Sequence, residues 1–356
     1  MIKFFRKIRQ NSIKENRFTN YLKYAFGEII LVAIGILIAL QVNNWNNNRL
    51  DEIEAVSILT EFKKELINDI WLTNSVITDL KQDILAKEAL FKIDTLENIP
   101  MDSLRYFIND VNVDVLPNQT VFEKVKTKNI TKLTNNVALN TAIFKYFNSM
   151  DLQIKSINFF FDAHKRRLNF FTSEQNAVNV YNSVKVHGFK NLSEGEEKNR
   201  FIEFISTPRV GNIIKQTYLH ENQSAYRLDF LNIEMKTLLI GIQKELKKKT
   251  PTIEPLPNYV VTPSSNYHLN PKELEKYVGS YKAMGTYVLD VQIKNNKLNV
   301  NGIGMNMSLN LIPISKNLFD VEHSIYRKIK FTESENGVIK EMTMVNINDE
   351  YTFIKE

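Results

Sequence analysis

Apolar positions crowd into one run near the start of the chain. Residues 24–42 read YAFGEIILVAIGILIALQV, and Asn43–Asn48 follow with Trp45 among them. A bilayer core about 30 Å thick needs roughly 20 apolar helical residues. The unbroken apolar residues 29–40 would cover only about 17 Å as a helix. Residues 24–45 would cover about 32 Å, with Tyr24 and Trp45 as the interfacial aromatic residues such spans favour. The pattern predicts one membrane-spanning helix. A cleaved signal peptide is the competing reading, but it wants small residues at its cleavage site. Residues 37–41 read LIALQ, with no Ala-x-Ala, which favours an uncleaved anchor.

Past the span the apolar period is helical. Glycine is absent from residues 36–187, and only Pro100 and Pro117 interrupt that stretch, so the strongest helix breakers are nearly missing. Leu66, Ile70, Thr73, Ile77, Leu80, Ile84, Lys87 and Phe91 follow steps of four and three, as in a coiled-coil seam. Thr73 and Lys87 are polar defects in it, which favours a bundle helix over residues 50–91 that runs on from the span. Further helices are predicted over residues 102–111, 120–126, 137–183, 198–206 and 210–249. A Phe-rich stretch holding Phe144, Phe147, Phe159, Phe160, Phe161, Phe170 and Phe171 is expected to be core. His164, Lys165, Arg166 and Arg167 are expected to form a solvated basic patch. The last long helix closes on Lys244, Lys247, Lys248 and Lys249, cations at its negative pole. Three long helices with short crossing ones predict an antiparallel bundle.

Pro251, Pro255, Pro257, Pro263 and Pro271 then fall close together, in a stretch that reads as an extended, semi-rigid linker. After it the period becomes that of strands. Residues 287–294, 297–300, 308–314, 318–321, 325–332, 338–346 and 351–354 read as seven short strands. Turn signals separate them at Asn295-Asn296, 315–317 and Glu335-Asn336-Gly337. A helix over residues 271–277 precedes them, with Asn270 as its cap and Pro271 at its first position. The expected fold is α+β and membrane-anchored: one N-terminal transmembrane helix, a long-helix antiparallel bundle, and a small C-terminal antiparallel β-barrel or meander. The expected divisions are a cytoplasmic basic tail (1–23), the span (24–42), a periplasmic bundle (46–250), the linker (251–270) and the β domain (271–356).

Charge fixes the orientation. The chain carries +6, from 46 basic and 40 acidic residues. Lys3, Arg6, Lys7, Arg9, Lys14, Arg17 and Lys23 against Glu15 account for all of it, so the remainder is neutral. Positive charge before a first span holds that side in the cytoplasm. The basic flank also suits the anionic lipid headgroups it would touch, and a nucleic-acid partner is not expected. Within the span, Glu28 lies about one turn inside Tyr24. A carboxylate in the bilayer marks a partner site or proton path, or lies at headgroup level. Gly35 and Ala39, with Gly27 nearby, make a small-xxx-small step that permits close helix approach. Gly27, Glu28, Gly35, Ala39 and Trp45 are thus the candidate anchor and helix-contact residues.

The opening MIKFFRKIRQ, the Gly27-Glu28-Ile29 step, Gly35-Ile36-Leu37-Ile38-Ala39, and Gln41 with Trp45 resemble a family of uncharacterised single-span membrane proteins common in Bacteroidota. The resemblance is specific over about the first 50 residues. In the middle, that family tends to a Ser-Gly turn before an apolar helix, where this chain has Lys126-Thr127-Lys128-Asn129. The resemblance implies a membrane location, a bacterial source and no known activity. Asn-x-Ser/Thr triplets such as Asn118-Gln119-Thr120 and Asn191-Leu192-Ser193 would then be chance matches. Towards the C-terminus, LEKYVGSY (274–281), IKNNKLNV, LIPIS with Phe319, and IKFTESENGVI resemble the lipocalin-like β domain appended to serine-β-lactamase-like hydrolases. This implies a small barrel without catalytic residues of its own. No Ser-x-x-Lys hydrolase half accompanies it.

Candidate chemistry is sparse. The chain has no cysteine, which excludes thiol catalysis, cysteine-bound zinc and disulfides. His164, His187, His220, His268 and His323 show no metal-ligand spacing, and no phosphate-loop, dinucleotide or nucleophile-elbow motif occurs. No catalytic, cofactor or metal residue is therefore expected, and no enzyme. The expected function is an interaction or scaffolding protein at the bacterial inner membrane. Its partner would be a membrane or periplasmic protein, or a second copy of itself. The alternative is a ligand-binding or sensing module whose β domain encloses an apolar ligand and acts through a separate membrane partner.

Overall fold

A computed structural model describes residues 18–108, 117–175, 192–260, 265–283, 287–304, 307–347 and 349–356. Helix α1 (Phe18–Leu90) is one unbroken helix of 73 residues, about 110 Å long. The apolar span and the bundle seam thus share one rod. Residues 26–53 are exposed all round, and burial begins at Glu54. From there Leu66, Ile70, Thr73, Ile77, Leu80, Ile84 and Lys87 are all buried, while Phe91 falls outside the helix and is partly exposed.

A 3-10 turn (Ile93–Asn98), α2 (Met101–Ile108), α3 (Thr120–Thr127), α4 (Val137–Gln175), α5 (Glu194–Ser206) and α6 (Pro208–Lys249) follow. Local chemistry sets their starts. Ser193 and Glu196 form a capping box on α5. The Thr207 hydroxyl accepts from the Val210 amide, and Pro208 opens α6 where its missing N–H has no bond to lose. The α3 start is held from outside. Glu65 accepts from the Val121 amide (3.1 Å) and Asp69 from the Asn118 amide (2.9 Å).

Helix α6 runs antiparallel to α1. Lys249 meets Glu52, Asn232 meets Asn74 and Glu221 meets Lys87. It is also antiparallel to α4, through the Thr134–Glu245 and Gln153–Glu234 bonds. Ile58, Phe62, Leu66 and Ile70 of α1, Ile143, Tyr146 and Phe147 of α4, and Leu228, Met235 and Ile242 of α6 make one core. Phe147 is buried against Phe62, their ring centroids 5.0 Å apart, but Phe159 is 63% exposed, so the Phe-rich stretch divides between core and surface. The side chains of Phe160, Phe161, Phe170, Phe171 and of residues 164–167 lie outside the described residues. A separate cluster at the end of the bundle far from the span joins Leu90, Met101, Leu104, Phe201, Ile205 and Val210.

The proline-rich segment packs back on the bundle over residues 251–260. Lys63 Nζ and Gln243 Nε2 both donate to the Glu254 carbonyl, at 3.0 and 2.8 Å, and Val260 is buried in the bundle core. It leads to a short helix, α7 (Pro271–Leu274), capped by Asn270, and a 3-10 turn (Glu275–Tyr277).

Eight antiparallel strands then close in sequence order: β1 (Gly279–Lys282), β2 (Val288–Lys294), β3 (Lys297–Gly302), β4 (Ser308–Ser315), β5 (Leu318–Val321), β6 (Lys328–Glu333), β7 (Ile339–Val345) and β8 (Glu350–Lys355). Seven of these match expected strands. The eighth, β1, has only four residues, too few for a visible alternation, and it is the one that pairs with β8 and closes the barrel. Its Gly279 has φ +150°, a value that side chains rarely adopt. Asn295 and Asn296, both at positive φ, make the two-residue β2–β3 hairpin turn. Tyr277, Tyr281, Phe319 and Phe331 are wholly buried at the barrel centre, with centroids 4.8 Å (Tyr277–Phe331) and 5.2 Å (Tyr277–Phe319) apart. An eight-stranded barrel is just wide enough for side chains to fill.

Candidate functional site

Two features set what the molecule can do: the span and the junction between bundle and barrel. In the span, Gly27, Gly35 and Ala39 are multiples of four apart and so share a face of α1. An added side-chain carbon at Gly27 or Gly35 would meet nothing within 4 Å. Glu28 and Ala39 are exposed too, and Trp45 is 67% exposed. Among the described residues, no helix packs against this face. Lys3, Arg6, Lys7, Arg9, Lys14 and Arg17 lie outside the described residues. Lys23 falls in α1, with its side chain undescribed. Among the described residues, α1 is the one helix long and apolar enough to cross a membrane, with none of its most apolar window buried.

The junction is built on α6. Asp229 and Arg327, the latter just before β6, are both fully buried, with Nη2 and Oδ2 3.4 Å apart. Asp229 also accepts from Ser324 Oγ (2.8 Å) and the Ile325 amide (3.1 Å). The Arg327 guanidinium lies over the rings of Phe230 (4.2 Å) and Tyr226 (4.5 Å), an arrangement that favours a desolvated cation. About two turns beyond Asp229 on α6, Lys236 Nζ donates to the His323 carbonyl (3.1 Å). Burial raises the Asp229 carboxyl above its ordinary range, with Arg327 opposing. Burial likewise pushes Lys236 down to about 8, with Asp229 opposing. The barrel is thereby fixed to α6 by charge and hydrogen bonds as well as by apolar contact.

Neither Asp229 nor Arg327 carries a sequence motif. The available signal lay in α6 itself. Asp229, Asn232 and Lys236 repeat at three and four beside the apolar stripe of Ala225, Leu228 and Met235, and all six are buried. That second stripe marks a helix covered on more than one side.

An open groove of about 660 Å³ runs beside the junction, between α4, α6 and the start of β4. Ile157, Phe230, Leu231, Ile233, Met307 and Leu309 give it apolar walls. Gln153 donates to Glu234 at its edge (3.0 Å), and burial raises that carboxyl. Its volume suits a small ligand. The groove lies outside the barrel, whose centre the aromatic residues fill.

Deeper in the bundle, the seam's polar defect at Lys87 is an ion triad. Lys87 Nζ is 2.6 Å from Asp83 and 2.8 Å from Glu221, and all three are nearly inaccessible. Burial raises Glu221 well above the carboxylate range, opposed by Lys87. Among the described residues, no group of three or more His, Cys, Asp or Glu is arranged to hold a metal ion.

Residues 28–196 are similar to a family described as a family of unknown function (DUF6090). This fits the expectation of an uncharacterised family in its coarse form; the similarity begins at Glu28, after the opening residues, and extends through α4 into the first turn of α5. No curated protein matches the chain, and no solved structure does. Helix α6, which closes the core of the matched helices, lies beyond the matched residues, as does the barrel.

Proposed function

We propose that this chain is a single-span, membrane-anchored interaction protein without catalytic activity, which presents a barrel at a set height above a bacterial cytoplasmic membrane. The N-terminus is cytoplasmic and the bundle and barrel are periplasmic, by the positive flank before the span. The observation that carries the reading is the continuity of α1, an apolar span and a bundle seam in one helix. Asn232, beside the Asp229 junction, bonds Asn74, 29 positions beyond Trp45. The barrel therefore stands roughly 40 Å from the interface. A rod this stiff, with a barrel locked to its bundle, suits holding a surface in place for a partner. We read the barrel as lipocalin-like in form, with its interior used for packing.

The test has two parts. A reporter fused after Glu356 should be active in its periplasmic format, and activity only in the cytoplasmic format overturns the orientation. A photo-crosslinking residue at Leu152 or Phe159, exposed on α4, should capture the same partner from native membranes in repeated trials. Recovery of the uncrosslinked chain alone counts against the interaction reading. The groove beside Glu234 favours a second reading, binding of a small apolar ligand there. It predicts native mass spectra with a bound species that Ile233→Trp removes.

A further inference from the structure

The end of the bundle nearest the span is built differently from the rest. Two helix C-termini, those of α3 and α6, point toward it, and each ends in lysines: Lys124 and Lys126 on α3, Lys247, Lys248 and Lys249 on α6. The segment after α3, residues 128–135, lies against α1 at residues 48–55 and encloses a polar cleft of about 600 Å³. Lys128 pairs with Glu54 and Lys249 with Glu52. Lys248 pairs with Glu245 at 2.6 Å. After these pairs, Arg49, Lys132, Lys244 and Lys247 stay exposed, against the exposed acids Asp51, in the cleft, and Glu254, which lies near Lys63 as Lys247 does. The surplus is positive, in a body that is neutral as a whole.

The height of this surplus follows from the helix. Asn48, which lines the cleft, is three residues beyond Trp45, about 4.5 Å along the axis. The headgroup layer extends about 5–7 Å beyond the hydrocarbon on each side. The lower rim of the cleft is therefore at headgroup height, and Lys132 lines the same cleft. Positive charge within a Debye length of an anionic bilayer is drawn to it.

We propose that this basic end, Lys132 and Lys247 with Arg49, binds the acidic phospholipid headgroups of the leaflet on which the body stands. The contact is separate from that of the N-terminal basic flank, which lies on the opposite side of the span. It rests on reading residues 24–42 as a bilayer span. Its consequence is a body braced against the membrane at a second point, so that the stalk cannot swing freely.

The absence of cysteine makes the test direct. Thr131→Cys, on the loop, and Asn44→Cys, at the interface, are each labelled with a fluorophore in the full chain. The labelled proteins are placed in nanodiscs carrying headgroup-level nitroxide lipid. Neutral phosphatidylcholine discs are compared with discs holding about one third phosphatidylglycerol. At position 131, quenching should rise at least about twofold in the anionic discs. It should return to the neutral value at about 0.5 M salt, where the Debye length is roughly 4 Å. Lys132→Glu with Lys247→Glu should abolish the rise while leaving the circular dichroism unchanged. Equal quenching at 131 in both discs, with position 44 quenched in both, overturns the headgroup contact alone. Loss of quenching at position 44 overturns the span reading and the contact with it.

Discussion

Asp229 and Arg327, 98 positions apart in sequence, face each other at 3.4 Å with neither side chain reaching solvent. One stands on the central helix of the bundle, the other on the barrel. Removing water from two charges is costly, and their attraction offsets this only with good geometry and added hydrogen bonds. Ser324 and the Ile325 amide supply those bonds for Asp229. The aromatic faces of Tyr226 and Phe230 take the guanidinium.

Removing one partner should therefore cost more than removing both. Arg327→Met leaves a buried carboxylate without its cation and is expected to destabilise by about 3–5 kcal/mol. Asp229→Asn on that background should recover part of the loss, since the amide oxygen still accepts from Ser324. Urea midpoints of the full chain in mild detergent check this. Equal midpoints for the single and double variants would mean the ion pair is not what holds the junction.

The Lys87 triad makes a similar prediction with a pH signature. Lys87→Met leaves Asp83 and Glu221 buried together without a cation, a loss of about 3–5 kcal/mol while both are ionised. Glu221 already takes up its proton more readily than an ordinary carboxyl, and losing Lys87 strengthens that. The penalty should then be largest near about pH 8 and shrink near about pH 5. Unfolding curves at both values measure it, and a penalty that grows on acidification contradicts the assignment.

Glu65 and Asp69 should shape the pH dependence of the native protein. Burial raises Glu65 to about 7 and Asp69 to about 6. Each binds its proton more tightly in the folded chain than in the unfolded one. The stabilisation is thus fully present below the unfolded values of 4.5 and 3.8, and is lost as pH rises through about 7 and about 6. Stability should decline from about pH 4.5 to about pH 7. Glu65→Gln, which keeps an acceptor for the Val121 amide, should flatten that decline. The same slope in wild type and variant would assign it to other groups.

The seam shows what a sequence can and cannot carry. Its spacing places Lys87 on the buried face of α1 and marks it as a defect. The reason it is tolerated is Glu221, which arrives from 134 positions away. A local pattern has no information about that partner. Strand β1 is hidden for a related reason. Four residues with one fully buried side chain, Tyr281, show no alternation, and their role as a strand exists only through pairing with Val288–Val291 and Ile354–Lys355. The linker's prolines foretell an extended chain, but its docking depends on two donors, Lys63 and Gln243, that the folded bundle brings to the Glu254 carbonyl.

The sequence by itself determined the apolar span, its positive flank, the neutral and cysteine-free body, and the change from helical to strand period after the prolines. Each of these is a property of neighbours along the chain, set by hydropathy, charge and backbone preference over a few turns. Only the tertiary structure decided that eight strands close where seven were visible, and that Asp229 fastens the barrel to α6. It also decided that the helices ending in Lys124 and Lys126 and in Lys247, Lys248 and Lys249 close at the same end of the bundle. Those outcomes depend on long-range pairing, where burial makes a charge or a short strand worth something only in the presence of a distant partner.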